Sequence, residues 1–201
     1  MEKENAVHLA RPLMEDTAVR YVIDTQGSTF TVQAFSKGLL SAFGHDPKIA
    51  IRDFKGDVEF IPGAATFDDA KLSVTIQSAS LDDIDDISEA DRADIQRRIQ
   101  EEVLETDRYP QITYECSRVT GSGSGDRFWL ALNGELTLHG VTRSLPLSVR
   151  VVVDGSSLRA SGAFSILQSD FGIAPVSAVG GAIRVKDELK CAFDIIARKQ
   201  E

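Results

Sequence analysis

Apolar and polar side chains alternate one by one along most of this chain. In the run from Thr29 to Gln33, Phe30 and Val32 are apolar and their neighbours are polar. Such alternation is typical of a β-strand with one buried face. With turn residues between the runs, it predicts about eight or nine strands in an antiparallel sandwich or barrel. Comparable runs lie within residues 49–60, 72–77, 112–117, 128–138, 145–153, 158–166 and 189–197.

A single helical pattern interrupts the strands near residues 88–105. Ser88 followed by acidic residues is typical of a helix N-cap and first turn. The apolar residues that follow recur every four positions, at Ile95, Ile99 and Val103. This spacing predicts one helix whose apolar stripe is buried at the end of the barrel.

Length and charge limit the classes of function. A chain of 201 residues that is 42% hydrophobic can form one domain with a sizeable core. A net charge of −9 disfavours the binding of nucleic acids and anionic surfaces.

We interpret residues 1–18 as a flexible arm and residues 19–199 as one domain. The arm lacks the pattern of a secretory signal, and no stretch has the length of a membrane span, so we expect a cytoplasmic location.

The residue types that bind metals or act as nucleophiles are scattered. Cys116 and Cys191 stand at apolar positions of strand patterns, which favours two buried thiols, although the sequence leaves a disulfide open. The acidic segment 82–94 lacks the Gly and Glu of an EF-hand loop. The Gly-Ser segment 121–125 lacks a nucleophile elbow, and we interpret it as a loop. We therefore expect no metal and no cofactor.

Four short motifs give the chain a more specific signature. The segment Leu132–Leu147 reads LNGELTLHGVTRSLPL, which predicts a hairpin that turns at His139-Gly140. Upstream, residues 105–114 read ETDRYPQITY, a helix end followed by a strand. The other two motifs are YVID at residues 21–24 and SDFGI at residues 169–173.

These motifs resemble those of the YceI-like family, lipocalin-like barrels that hold a long isoprenoid or another lipid. The resemblance covers roughly residues 20–198 and implies an all-β, mainly antiparallel barrel of about eight strands. It also implies non-catalytic binding, transport or storage of a polyisoprenoid, isoprenoid quinone or fatty-acid-like lipid. Members often form homodimers, and many are exported. Gln168 stands where the family usually has Arg, so a charge contact from that position is not expected here.

The inward positions of this barrel are the candidate ligand-binding site. Periodicity alone favours a packed core there, whereas the resemblance favours a ligand tunnel. His45 either binds a ligand head group at the barrel mouth or caps its own turn. Gly162 marks either a close approach of the ligand to the backbone or a relief of curvature. The expected lining residues are Phe30, Val32, Leu72, Val74, Ile76, Tyr114, Leu130, Leu132, Leu147, Val149, Gly162, Phe164 and Phe193.

Two other classes of function stay open at this point. One is an enzyme on the same barrel, with His45 and an inward carboxylate such as Asp170 as acid and base. The other is a structural or stress-related protein whose barrel is filled by its own side chains. Lipid bound to the purified protein would distinguish a carrier from a self-filled barrel.

Overall fold

A computed structural model describes residues 17–37, 46–61, 67, 69–178 and 183–200. The helix α1 (Glu89–Arg98) continues into a π-helical turn at Ile99–Val103. Short 3₁₀ turns lie at Thr25–Gly27, Ser78–Ser80 and Gln168–Phe171. The strands are β1 (Val19–Ile23), β2 (Thr29–Gln33), β3 (Ser36–Lys37), β4 (Lys48–Ile51), β5 (Phe54–Phe60), β6 (Lys71–Gln77), β7 (Leu81–Asp83), β8 (Gln111–Ser124), β9 (Arg127–Leu138), β10 (Val141–Asp154), β11 (Ser157–Leu167), β12 (Ser177–Ala178), β13 (Ile183–Val185) and β14 (Glu188–Lys199).

Eight of these strands form a closed ring. Their order around the ring is β1-β5-β6-β8-β9-β10-β11-β14, and β14 pairs again with β1. Every pairing is antiparallel, and the ring closes where Tyr21 lies opposite Lys199. The prediction of a single antiparallel barrel of about eight strands with one inserted helix is confirmed.

The strand β14 pairs with two partners in succession. Its C-terminal part pairs with β1, and its part from Lys190 to Asp194 pairs with β2. β1 and β2 are separated by the 3₁₀ turn, where the Asp24 carboxylate accepts a hydrogen bond from the Gly27 amide at 3.4 Å. β2 also pairs with β4, and β4 pairs with β7. These three strands extend the wall beyond one end of the ring, which we call the helix end.

The helix begins where the sequence predicts it. Ser88 is the N-cap, and its hydroxyl oxygen accepts a hydrogen bond from the Asp91 amide at 3.1 Å. The helix lies against β7, where the Gln96 side chain donates to the carbonyl of Leu81 at 2.6 Å. Polar side chains therefore bind the helix to the free edge of β7.

The expected apolar stripe of the helix is buried in part. Ile99 and Val103, in the π-helical turn, are partly buried against the core, and Leu104 after it is fully buried. The apolar contact with the barrel thus lies mainly at the C-terminal end of the helical segment. Within the described part of the chain, neither α1 nor any other helix has the length and apolar composition needed to span a membrane.

The interpretation of residues 121–125 as a loop is wrong. β8 runs to Ser124 and pairs with β9 up to that residue, so that the turn itself is short. A Cβ atom on Gly123 would lie 2.3 Å from the ring of Phe128 on the facing strand. Glycine is therefore needed in this strand because an aromatic ring covers its backbone.

A second glycine, Gly134 of the hairpin motif, is covered by the ring of Tyr114. A Cβ atom at Gly134 would lie 2.5 Å from the Tyr114 hydroxyl and 2.6 Å from the carbonyl oxygen of Glu115. The same ladder has a register shift between Cys116 and Arg118. The bulge and the missing Cβ together let the tyrosine ring lie flat across the neighbouring strand.

The two cysteines are buried free thiols, as the sequence favours. Burial raises the pKa of the Cys191 thiol to about 12. Burial also raises the pKa of Cys116, against backbone hydrogen bonds that lower it. Both groups are therefore protonated and unreactive at neutral pH.

We expect Gly134→Ala to destabilise the barrel, because the added methyl group meets a ring on one side and a backbone carbonyl on the other. The expected loss is about 1–3 kcal/mol in the free energy of unfolding, measured by urea denaturation. Asn133→Ala, at an exposed position of the same strand, is the control and should leave the unfolding midpoint nearly unchanged. Equal stability of the two variants would contradict the close contact.

Candidate functional site

Two apolar cavities lie in the barrel interior. The first, which we call the deep cavity, has a volume of about 130 Å³. The second, the outer cavity, has a volume of about 330 Å³ and reaches the β8–β9 turn at Gly125. They are adjacent, because six residues line both of them. The shared residues are Val58, Leu72, Leu132, Val149, Leu158 and Ala160.

Most of the predicted lining residues face these cavities. Leu130 lines the outer cavity, and Val32 and Gly162 lie outside both linings. His45 lies outside the described residues, so its role at the mouth stays a prediction. The predicted residues that line the deep cavity are Phe30, Leu72, Val74, Ile76, Tyr114, Leu132, Leu147, Val149, Phe164 and Phe193.

Several residues that line the cavities were not predicted, although the strand pattern already contains them. Val58, Leu158 and Ala160 have the same inward phase as their predicted neighbours and line both cavities. Phe54 and Ile195 line the deep cavity. Their phase was visible in the alternation, but their height along the barrel axis depends on the stagger of the strands.

Aromatic rings surround the outer cavity at the end that we call the mouth. Phe67 meets Phe128 edge to face, with ring centroids 5.6 Å apart. Phe60 also lines the cavity, and its ring stacks on Tyr21 at 5.6 Å. Such aromatic contacts are stable without any polar partner. The described side chains at the mouth are therefore apolar, as are those of the interior.

The polar groups near the cavities bind protein atoms. The Tyr114 hydroxyl lies 3.1 Å from the carbonyl oxygen of Leu145, to which it donates. Burial raises the pKa of this hydroxyl above its ordinary value. Asp57 contributes to the lining, but its carboxylate accepts a hydrogen bond from Arg20 on the outer face at 3.2 Å. Along the lining of the two cavities in the described residues, no charged group faces the lumen.

The ring of Phe193 lies beside Gly162. The two residues are opposite each other in the β11–β14 ladder. A Cβ atom on Gly162 would lie 2.7 Å from Cζ of Phe193 and 3.0 Å from the carbonyl oxygen of Ser148. The group that approaches the Gly162 backbone closely is thus a side chain of the barrel itself.

Two of the sequence motifs meet at the helix end. The His139 ring lies 4.3 Å from the ring of Tyr109, and its Nε2 atom lies 3.0 Å from the carboxylate of Glu105. A Cβ atom on Gly140 would lie 2.7 Å from the Tyr109 ring. His139 has a φ of 53° in the hairpin turn, which confirms its predicted turn position. These contacts join the end of the helical segment to the β9–β10 hairpin.

Asp170 does not face the interior, so the prediction that it is an inward carboxylate is wrong. It is exposed in an outer groove, where its carbonyl accepts a hydrogen bond from Arg143 at 3.2 Å. The reason is that β11 ends at Leu167, so the following 3₁₀ turn lies outside the lumen and buries Phe171 instead. Gln168 is buried and donates to the carbonyl of Lys186 at 2.9 Å.

Comparison with known proteins assigns the family. Residues 21–197 match the YceI-like domain. A UPF0312 protein from Shewanella oneidensis is 31% identical over 169 residues, which cover 80% of each protein. A UPF0312 protein from Vibrio parahaemolyticus is 28% identical over 152 residues, 75% of this chain and 72% of the relative. The chain therefore belongs to the YceI-like family.

Solved structures show the same fold at lower identity. BcnA from Burkholderia cenocepacia has a TM-score of 0.65 at 19% identity and covers 87% of this chain and 98% of its own. A domain from Saccharophagus degradans, described as polyisoprenoid binding, has a TM-score of 0.64 at 13% identity, with 90% and 98% covered. These similarities agree with the closed barrel described above.

We expect Gly162→Leu to displace the Phe193 ring and to strain the β10–β11 pairing. The free energy of unfolding should fall by about 1–3 kcal/mol, measured by urea denaturation. Ala163→Leu, at the next and exposed position of the same strand, is the matched control and should be nearly neutral. A Gly162→Leu protein of unchanged stability that no longer binds lipid would instead favour a ligand contact at Gly162.

Proposed function

We propose that this protein binds a long apolar molecule, such as an isoprenoid or a fatty-acid-like lipid, inside the barrel and without catalysis. The observation that carries the proposal is the pair of adjacent apolar cavities that lie one behind the other between the barrel mouth and the deep interior. Its wall is apolar, and the Tyr114 hydroxyl beside it is bound to backbone carbonyls. An occupant is therefore held by its apolar surface rather than by charge.

The cavity volumes indicate the size of the occupant. A cavity of about 150 Å³ holds one benzene ring in a well-studied case. On this scale, the deep cavity of 130 Å³ holds about six carbons and the outer cavity of 330 Å³ about twice as many. The described interior therefore fits an apolar chain of roughly 15–20 carbons.

The hydrophobic effect supplies enough free energy for such binding. Each buried methylene group contributes about 0.8 kcal/mol, so a chain of about twelve carbons gains roughly 10 kcal/mol. Loss of chain entropy and of free rotation lowers this value. A submicromolar affinity remains reachable, and it requires no hydrogen bond to the lipid chain.

The orientation of the occupant follows from the distribution of polar groups. A polar head group in the deep cavity would be unpaired, because the deep wall offers apolar side chains. Gly125, which lines the outer cavity at the mouth, is exposed to water, so the head group lies there and the chain points inward. The neighbour from Saccharophagus degradans supports the proposal that the barrel binds an apolar molecule, since it has the same fold and is described as polyisoprenoid binding.

The direct test is organic extraction of the purified protein followed by mass spectrometry. The proposal expects a molecule with a long apolar chain in the extract, and binding of added lipid by the emptied protein. A protein that yields no lipid and binds none would contradict the proposal. That result would favour the alternative of a barrel filled by its own side chains.

Ala160 offers a sharper test, because it lines both of the adjacent cavities. Ala160→Leu adds three carbons at this point and should weaken lipid binding about fiftyfold, the equivalent of three displaced methylene groups. Ala163→Leu makes the same change on the exposed face of β11 and should bind as the unaltered protein does. Titration of a fluorescent fatty acid measures both affinities, and equal values would argue against the tunnel.

A further inference from the structure

Four phenylalanine rings form a cluster in the wall of the deep cavity. Phe30 lies 6.1 Å from Phe193, 6.4 Å from Phe164 and 6.5 Å from Phe54, measured between ring centroids. Phe164 and Phe193 are 6.4 Å apart. We call this cluster the aromatic floor. It consists of Phe30, Phe54, Phe164 and Phe193.

On the strands that carry the aromatic floor, the lining of the deep cavity ends at its rings, whereas on the other strands the lining reaches Ile76, Ile112, Leu136 and Leu145. On three of its strands, the next inward residues toward the helix end are Val32, Cys191 and Ile166. These three residues do not line either of the two cavities. The rings therefore form one side of the inner limit of the apolar space, at the end opposite to the mouth.

A packed layer supports the floor from behind. Val32 on β2 lies opposite Cys191 on β14 and opposite Ile49 on β4. Cys191 and Ile49 are almost completely buried. Rings that also contact one another edge to face have little room to move aside, because close-packed neighbours resist compression.

We propose that the aromatic floor sets the longest apolar chain that the barrel accepts. The proposal rests on the lipid binding proposed above and adds a determinant of specificity to it. A chain that enters from the mouth gains buried surface with each methylene group until its terminal methyl group meets the floor. Any further carbon stays outside at the mouth, so that it adds no affinity.

The floor also determines the chemistry of the inner end of the ligand. Phenylalanine side chains provide no hydrogen-bond partner, so a polar group that reached them would lose its hydrogen bonds to water. The terminus at the floor is therefore a methyl or another hydrocarbon group. At this end, the barrel therefore selects a ligand by the length and shape of its hydrocarbon chain.

The experiment measures how affinity depends on chain length. The probes are the saturated primary alcohols from decanol to docosanol, which displace the fluorescent dye N-phenyl-1-naphthylamine from the full-length protein. Affinity of the unaltered protein should rise about fourfold per added methylene group and then reach a plateau. The chain length at the plateau is the quantity compared among variants.

Phe164 is the position to change, because its ring lines the deep cavity. Unlike Phe193, it does not lie against any of the described glycines, so its removal leaves those contacts intact. Phe164→Ala should move the plateau to chains about two to four carbons longer, since the vacated space is the size of one benzene ring. Phe164→Leu is a milder variant and should shift the plateau length by fewer carbons. Circular dichroism establishes that each variant is folded.

Phe128→Ala is the matched control, because it removes the same ring at the mouth. It should lower the affinity for all chain lengths alike and leave the plateau length unchanged. A folded Phe164→Ala or Phe164→Leu variant with the original plateau length would overturn the role of the floor. If the unaltered protein bound none of the alcohols, the proposed lipid binding itself would fail, which is a distinguishable result.

Discussion

The pairing of β1 with β14 is the constraint on which the rest of the structure depends. It joins Tyr21–Ile23 to Ala197–Lys199 and so closes the sheet into a ring. Across this seam the Arg198 guanidinium donates to the Asp24 carboxylate at 2.8 Å, over a sequence separation of 174 residues. A closed ring has no exposed edge strand, and its inward side chains enclose a lumen. Without this pairing the same apolar faces would be open to water.

Aromatic rings that cover glycines recur in this barrel and shape its interior. Each glycine removes a Cβ atom, so that a ring from a facing strand or segment can lie directly on the backbone. This arrangement fixes the position of the ring more tightly than packing against a flexible side chain does. The pairs described are Phe128 on Gly123, Tyr114 on Gly134, Tyr109 on Gly140 and Phe193 on Gly162.

The two ends of the lumen differ in a way that suits an apolar chain. At the mouth, Phe67 and Phe128 contact each other beside the outer cavity. At the inner limit, the aromatic floor is backed by buried side chains such as Cys191 and Ile49. Affinity in such a site comes from buried area, whereas selectivity comes from the length and width of the space. Electrostatic attraction contributes little, because the charged groups near the lining point outward.

The sequence by itself determined most of the secondary structure, the inward phase of most strands and the family. Alternation is a local property of one strand, so Leu72, Val74 and Ile76 could be placed on the inner face without the fold. Depth along the barrel is different, because it depends on the stagger between strands that are distant in sequence. Phe30 and Val32 share one strand and one phase, but tertiary structure decided that Phe30 lines the cavity and Val32 lies behind it.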